Sequence, residues 1–70
     1  ELDLVLQTPN GAITAIEIKR NLSPKINRGY TESFNTLKAQ KGYFIIPKGE
    51  SFPLSKTTTA ISLQKFLEQL

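Results

Sequence analysis

Three side chains carry most of the chemistry this sequence can offer: Asp3, Glu17 and Lys19. Two carboxylates on neighbouring strands are hard oxygen donors of the kind magnesium takes, with waters and substrate phosphate completing its shell. A metal held there, Mg²⁺ or Mn²⁺, would lower the pKa of a bound water and neutralise charge developing on a phosphodiester. The backbone carbonyl of Ile18 offers a third oxygen at the strand edge. Lys19 stands two residues beyond Glu17 and so shares its strand face. It can orient that water or act as a point charge towards the pentavalent oxygens. From Lys19 to Arg28 the chain has four cations (Lys19, Arg20, Lys25 and Arg28) and no acid. Such a run suits sequence-independent contact with nucleic-acid phosphates, with Arg20, Lys25 and Arg28 as the contact residues. A plainer reading stays open beside this one. Alternating charges on a hairpin's outer face pair across strands, and a short basic stretch is by default a solvated loop and helix start.

Composition narrows the alternatives. The 70 residues include no cysteine and no histidine. This excludes a disulfide framework, a thiolate nucleophile, a zinc–thiolate site, the Ser-His-Asp and Cys-His arrangements and the imidazole ligand. Cysteine-free composition agrees with a cytoplasmic setting. The net charge of +3 and a pI near 9.5 lean towards acidic partners. No apolar run is long enough to span a bilayer. Seventy residues make one domain, 1–70, that buries only about 60% of its unfolded surface. The first residues already lie inside a strand pattern, as expected of a piece of a longer protein.

Those three residues are positioned by a hairpin. Leu2, Leu4 and Leu6 alternate with Asp3, Val5 and Gln7, a period of two and hence a strand. Pro9-Asn10-Gly11 reads as a three-residue hairpin loop with glycine in the left-handed position. That loop pairs Thr8 with Ala12, Leu4 with Ile16, Asp3 with Glu17 and Leu2 with Ile18. Leu2, Leu4, Leu6, Ile16 and Ile18 then share an apolar face, and Glu1, Asp3, Glu17 and Lys19 share the other. A two-residue Asn-Gly turn would mix apolar and charged residues on both faces, so the pattern selects the first register.

Beyond the hairpin, Ser23 and Pro24 are expected to open a helix whose apolar face is Ile26, Tyr30, Phe34 and Leu37. Gly42 is expected to end it, with Lys38 and Lys41 in its last turn. Tyr43-Phe44-Ile45-Ile46 reads as a strand covered on both faces, reached by a right-handed parallel crossover. Ser51 to Lys56 reads as a loop pinned by Phe52 and Leu54, and Thr57 to Ile61 as a strand. Ser62 caps a last helix with Leu63, Phe66, Leu67 and Leu70 as its stripe. The order is β-β-α-β-β-α around a mixed sheet, an α/β fold. Tyr30, Phe34 and Tyr43 read as core residues ahead of base-stacking platforms.

Asp3 followed by Glu17-Ile18-Lys19 after a hairpin, then helix and strand, resembles the PD-(D/E)XK nuclease superfamily. More narrowly, Glu1–Leu6, Ala15–Lys19, Lys41–Pro47, Ser51–Leu54, Ala60–Leu63 and Lys65–Leu67 resemble the nuclease-like C-terminal domain of unknown function found on prokaryotic AAA+ ATPases. The resemblance implies a restriction-endonuclease-like core lacking its first helix. It implies metal-binding roles for Asp3 and Glu17 and a catalytic role for Lys19. Leu2 stands where the superfamily pattern has proline. The implied function is Mg²⁺-dependent cleavage or binding of DNA, with an upstream ATPase domain as partner. The alternative is an inactive nuclease-fold module used for protein docking or oligomerisation. A small basic binding domain without metal is a third reading.

Overall fold

The computed structural model describes residues 2–70. Glu1, expected on the charged face of the hairpin, lies outside the described residues. The hairpin forms from β1 (Leu4–Gln7) and β2 (Ile13–Ile18). Their antiparallel register is Leu4↔Ile16, Val5↔Ala15, Leu6↔Thr14 and Gln7↔Ile13, the one selected by the apolar pattern. The loop closes through Thr8 N–H to Ala12 O at 2.9 Å and Gly11 N–H to Thr8 O at 2.9 Å. Gly11 has φ of +91°, a conformation glycine adopts without the clash a Cβ would bring.

The expected ladder runs one pair too far at its open end. It stops at Leu4↔Ile16, and Asp3 occupies a bend. The bend breaks the alternation, so Leu2 does not stay with Leu4 and Leu6. Its side chain packs against Ala15, Tyr30 and Phe44 on the opposite face of the sheet. Asp3 is therefore not a ladder partner of Glu17.

Three further strands complete the sheet: β3 (Lys41–Ile46), β4 (Phe52–Pro53) and β5 (Thr58–Ser62). The strand order is β1-β2-β3-β5-β4, with β3 parallel to both β2 and β5 and the two edge strands antiparallel. The sheet is mixed, as expected. The expected loop at Ser51–Lys56 contains the two-residue β4, paired as Phe52↔Ala60 and Pro53↔Thr59. Proline is tolerated there because β4 is an edge and needs no outward N–H.

Helix α1 (Arg28–Thr36) starts later than expected. Its cap is Asn27, whose Oδ1 accepts the Tyr30 N–H at 2.8 Å; Ser23 and Pro24 belong to the irregular connection. Leu37 is the C-cap, and Lys38 follows with φ of +57°. Lys38 thus takes the left-handed position that usually falls to glycine. Gly42 does not end the helix; it lies inside β3, where a Cβ would overlap the Tyr30 hydroxyl and sit 2.7 Å from Thr58 Oγ1. Helix α2 (Leu63–Glu68) is capped by Ser62, which accepts the Lys65 N–H at 3.2 Å.

Each face of the sheet has its own core. Under α1, Ala15, Tyr30 and Phe44 are buried, with Ile26, Phe34 and Leu54 packed against them. Tyr30 meets Phe44 edge-on at 4.8 Å between centroids, and its hydroxyl bonds Thr58 Oγ1 at 2.8 Å. Under α2, the core is Ile16, Ile45, Ile61 and Phe66, with Tyr43 edge-on to Phe66. The expected α2 stripe is buried only at Phe66; Leu63, Leu67 and Leu70 are exposed. Six residues span about 9 Å, too little to cover this face. Leu4, Leu6 and Ile18 stay exposed on it.

Candidate functional site

The Glu17 side chain stands on the α1 face, because residues alternate along β2 and its neighbour Ala15 is buried there. In the parallel β2–β3 ladder Glu17 is the register partner of Phe44. Lys19 follows on the same face. Its N–H bonds Ile45 O at 2.8 Å, so the backbone stays tied to β3 just past the end of the strand. The Lys19 ammonium lies 3.7 Å from Glu17 Oε2 and 5.2 Å from the Phe44 ring centroid. Both side chains are largely sheltered, Glu17 with 14% of its side chain exposed and Lys19 with 26%. The lysine is thus held between a carboxylate and an aromatic face within cation–π range.

Asp3 reaches this end of β2 by a different route. Because the Lys19 N–H points to β3, the Ile18 N–H and C=O point the other way, towards β1. Where β1 has bent away, the Asp3 carboxylate takes the vacated role: Oδ2 accepts the Ile18 N–H at 2.8 Å. The carboxylate and the Ile18 carbonyl therefore share one edge of β2. An ionised carboxylate has about four acceptor positions, so one N–H leaves Asp3 with room for further donors or a cation.

The charge on Glu17 is felt beneath the surface. The Tyr30 hydroxyl is pushed above its ordinary pKa of 10.0, mainly by burial and further by Glu17, while its bond to Thr58 opposes the shift. Among the described residues no group of three or more His, Cys, Asp or Glu is placed to hold a metal ion. Magnesium commonly uses one or two protein carboxylates. Asp3, Glu17 and the Ile18 carbonyl match that oxygen chemistry.

The expected nucleic-acid contacts are less organised. Arg20, Lys25 and Arg28 are all exposed. Arg28 is turned along α1, its Nε 2.9 Å from Glu32 Oε2. Sequence reasoning missed Phe44 as the platform under Lys19, because that contact depends on the β2–β3 register. It also missed Tyr30 and Thr58 as a buried polar pair. Tyrosine at an apolar helix position is the one signal that pointed to a buried hydroxyl needing a partner.

An α/β domain with a five-stranded mixed sheet, carrying an acid–lysine cluster at the end of β2, is the class that fold and site define. Over residues 1–66 the chain matches the family described as Domain of unknown function (DUF4143), and it belongs to that family. No curated protein and no solved structure matches the chain. No helix among the described residues is long and apolar enough to cross a membrane.

Proposed function

We infer that the chain is a nuclease-like domain acting on DNA, with Asp3, Glu17 and Lys19 as its working residues. The carrying observation is the placement of the three residues around the end of β2, Asp3 at its edge and Glu17 with Lys19 on the α1 face. The Asp3 carboxylate sits on the Ile18 amide, and Lys19 bridges Glu17 and Phe44. Asp3, Glu17 and the Ile18 carbonyl would hold Mg²⁺ or Mn²⁺. When bound, such an ion supplies an acidified water and neutralises phosphate charge. Lys19 is already restrained by its two neighbours. It would keep a positive charge at a fixed place towards an incoming phosphodiester, with little ordering cost on binding. Arg20 and Lys25 would add sequence-independent backbone contact. In this reading the domain is the C-terminal part of a cytoplasmic AAA+ ATPase with PD-(D/E)XK ancestry, and the motor upstream is its partner.

One observation favours a second reading, an inactive module for docking or oligomerisation. Asp3 is already engaged by a backbone N–H and Glu17 by Lys19, while Leu4, Leu6 and Ile18 lie exposed on the other face of the same hairpin. A titration separates the two. Mg²⁺ or Mn²⁺ at millimolar concentration should move the backbone amides of Asp3, Glu17 and Ile18 and leave the rest of the spectrum in place. No localised shift removes the metal site. Plasmid cleavage by the full-length parent should fall about a hundredfold or more in Lys19→Ala, the scale of losing one preorganised electrostatic group. Equal cleavage by both proteins removes Lys19 from the chemistry.

A further inference from the structure

A cleft of about 250 Å³ opens at the opposite end of the sheet, where β3 and β5 begin. Its walls include Gln40, Lys41, Tyr43, Lys56, Thr57 and Thr59. The cleft has a simple origin. Tyr43 pairs with Thr59 in the β3–β5 ladder, so the two share the α2 face. Helix α2 covers only the other half of that face, through Phe66, and leaves this half open.

What lines the opening is chemically one-sided. Two lysines, two threonine hydroxyls, a tyrosine and an amide surround it, with no acidic residue. Lys41 opens β3, and the adjacent Gly42 donates its N–H to Thr57 O at 2.8 Å. Lys56, next to Thr57, is thereby brought to the same end of two neighbouring parallel strands. Like charges gathered on adjacent strands are unfavourable without a counter-charge. Neither lysine is ion-paired among the described residues. A second cleft, of about 370 Å³, continues past Gln40 and Lys41 to Thr8 and Thr14.

We propose that this cleft is a phosphate-binding site, with Lys41 and Lys56 supplying charge and Thr57 and Thr59 supplying hydroxyl donors. The chemistry of the lining decides the ligand class: two lysines and two hydroxyls without an acid suit a phosphate or pyrophosphate group, for which an opening of about 250 Å³ has room. The group can come from a small phosphorylated compound or from a nucleic-acid backbone. The proposal stands apart from the Asp3–Glu17–Lys19 reading, which concerns the far end of β2.

Backbone amide shifts of the 70-residue chain, read at low salt against phosphate, pyrophosphate and a short DNA duplex, test it. Saturable shifts are expected at Gln40–Tyr43 and Lys56–Thr59, together with the side-chain resonances of Lys41 and Lys56. The amides of Asp3, Glu17 and Ile18 should stay in place with phosphate, which keeps this result distinct from the metal titration. Lys41→Gln/Lys56→Gln should weaken binding about tenfold or more, the scale of losing charge-assisted hydrogen bonds. The charge-matched control Lys48→Gln/Lys65→Gln should change it about twofold, through general screening alone. Tighter binding of the duplex than of pyrophosphate assigns the site to a backbone, and the reverse order assigns it to a small phosphorylated ligand; both uphold the proposal. Absence of saturable shifts with all three probes overturns it. So does equal weakening in the control, and so do lysine resonances that do not move in the unsubstituted chain.

Discussion

The two faces of the sheet are built from the same alternating strands, yet they are closed in different ways. Under α1 the seal is aromatic and partly polar. Tyr30 lies edge-on to Phe44, bonds Thr58 through its hydroxyl, and occupies room that only Gly42 leaves free. Under α2 the helix contributes one buried ring, Phe66, set among Ile16, Ile45 and Ile61 and edge-on to Tyr43, with no buried hydrogen bond between side chains there among the described residues. The α1 face is specified by shape and by hydrogen bonding, and it carries Glu17 and Lys19. The α2 face is closed by apolar and ring contacts, and beyond α2 it carries the exposed Leu4 and Leu6 of the hairpin and the cleft lined by Lys41 and Lys56. The acid–lysine cluster therefore lies on the face with the more exacting support.

Substitutions can break this contrast. The largest effect is expected from Phe66→Ala, which removes the only buried side chain of α2 and should cost about 3–5 kcal/mol. Urea unfolding measures it. The Lys19–Phe44 contact should survive in whatever fraction stays folded, since it lies on the other face. A Phe66→Ala protein of unchanged stability would mean that the α2 face is closed by something else.

Next in size is Gly42→Ala. Overpacking against Tyr30 and Thr58 should cost about 1–3 kcal/mol, and placing it on Tyr30→Phe should recover part of that loss by removing the hydroxyl it strikes. Tyr30→Phe alone should cost about 1 kcal/mol or somewhat more, because Thr58 is left buried without its partner. The same tyrosine predicts a pH effect. Its hydroxyl keeps its proton in the folded chain to a higher pH than in the unfolded chain. Stability present below about pH 10 is therefore lost as pH rises through the folded pKa, and Tyr30→Phe should remove that slope. Equal alkaline slopes in both proteins would detach Tyr30 from the polar seal.

The smallest effect tests the outer side of α1. Arg28→Ala should change stability by no more than about 0.5 kcal/mol, because its bond to Glu32 is between exposed groups. Thermal unfolding at low and high salt is sufficient to read it. A larger loss would mean that α1 is held by its surface as well as by Tyr30.

The hairpin was the most legible part of the fold. Pro9-Asn10-Gly11 determines the turn, the turn sets the register, and the apolar alternation excludes the neighbouring register. The cap at Ser62 was legible for the same reason, since its partner lies three residues away. The start of α1 was not. Ser23-Pro24 and Asn27-Arg28 are both sound caps by local chemistry, and placing Tyr30 over Phe44 goes with the second. Gly42 resembled a helix stop because nothing in its neighbourhood reveals that Tyr30 and Thr58 approach it from distant positions. Among the candidate residues, the period of two places Glu17 and Lys19 on one face, where they lie 3.7 Å apart, but it misjudges how Asp3 arrives. Alternation predicted a ladder position; the bend made it a side-chain substitute for a strand. The edge strand β4 was too short for any periodicity to register.

The sheet's two margins also differ in their capacity to recruit another strand. At one, β4 is two residues long and includes Pro53, which offers no N–H and so discourages further pairing. At the other, β1 is four residues long, free of proline and exposed throughout. Extension of this sheet by a further chain is thus confined to one flank, next to Asp3. A strand added there would pair with the outer side of β1, away from the Ile18 N–H that Asp3 holds.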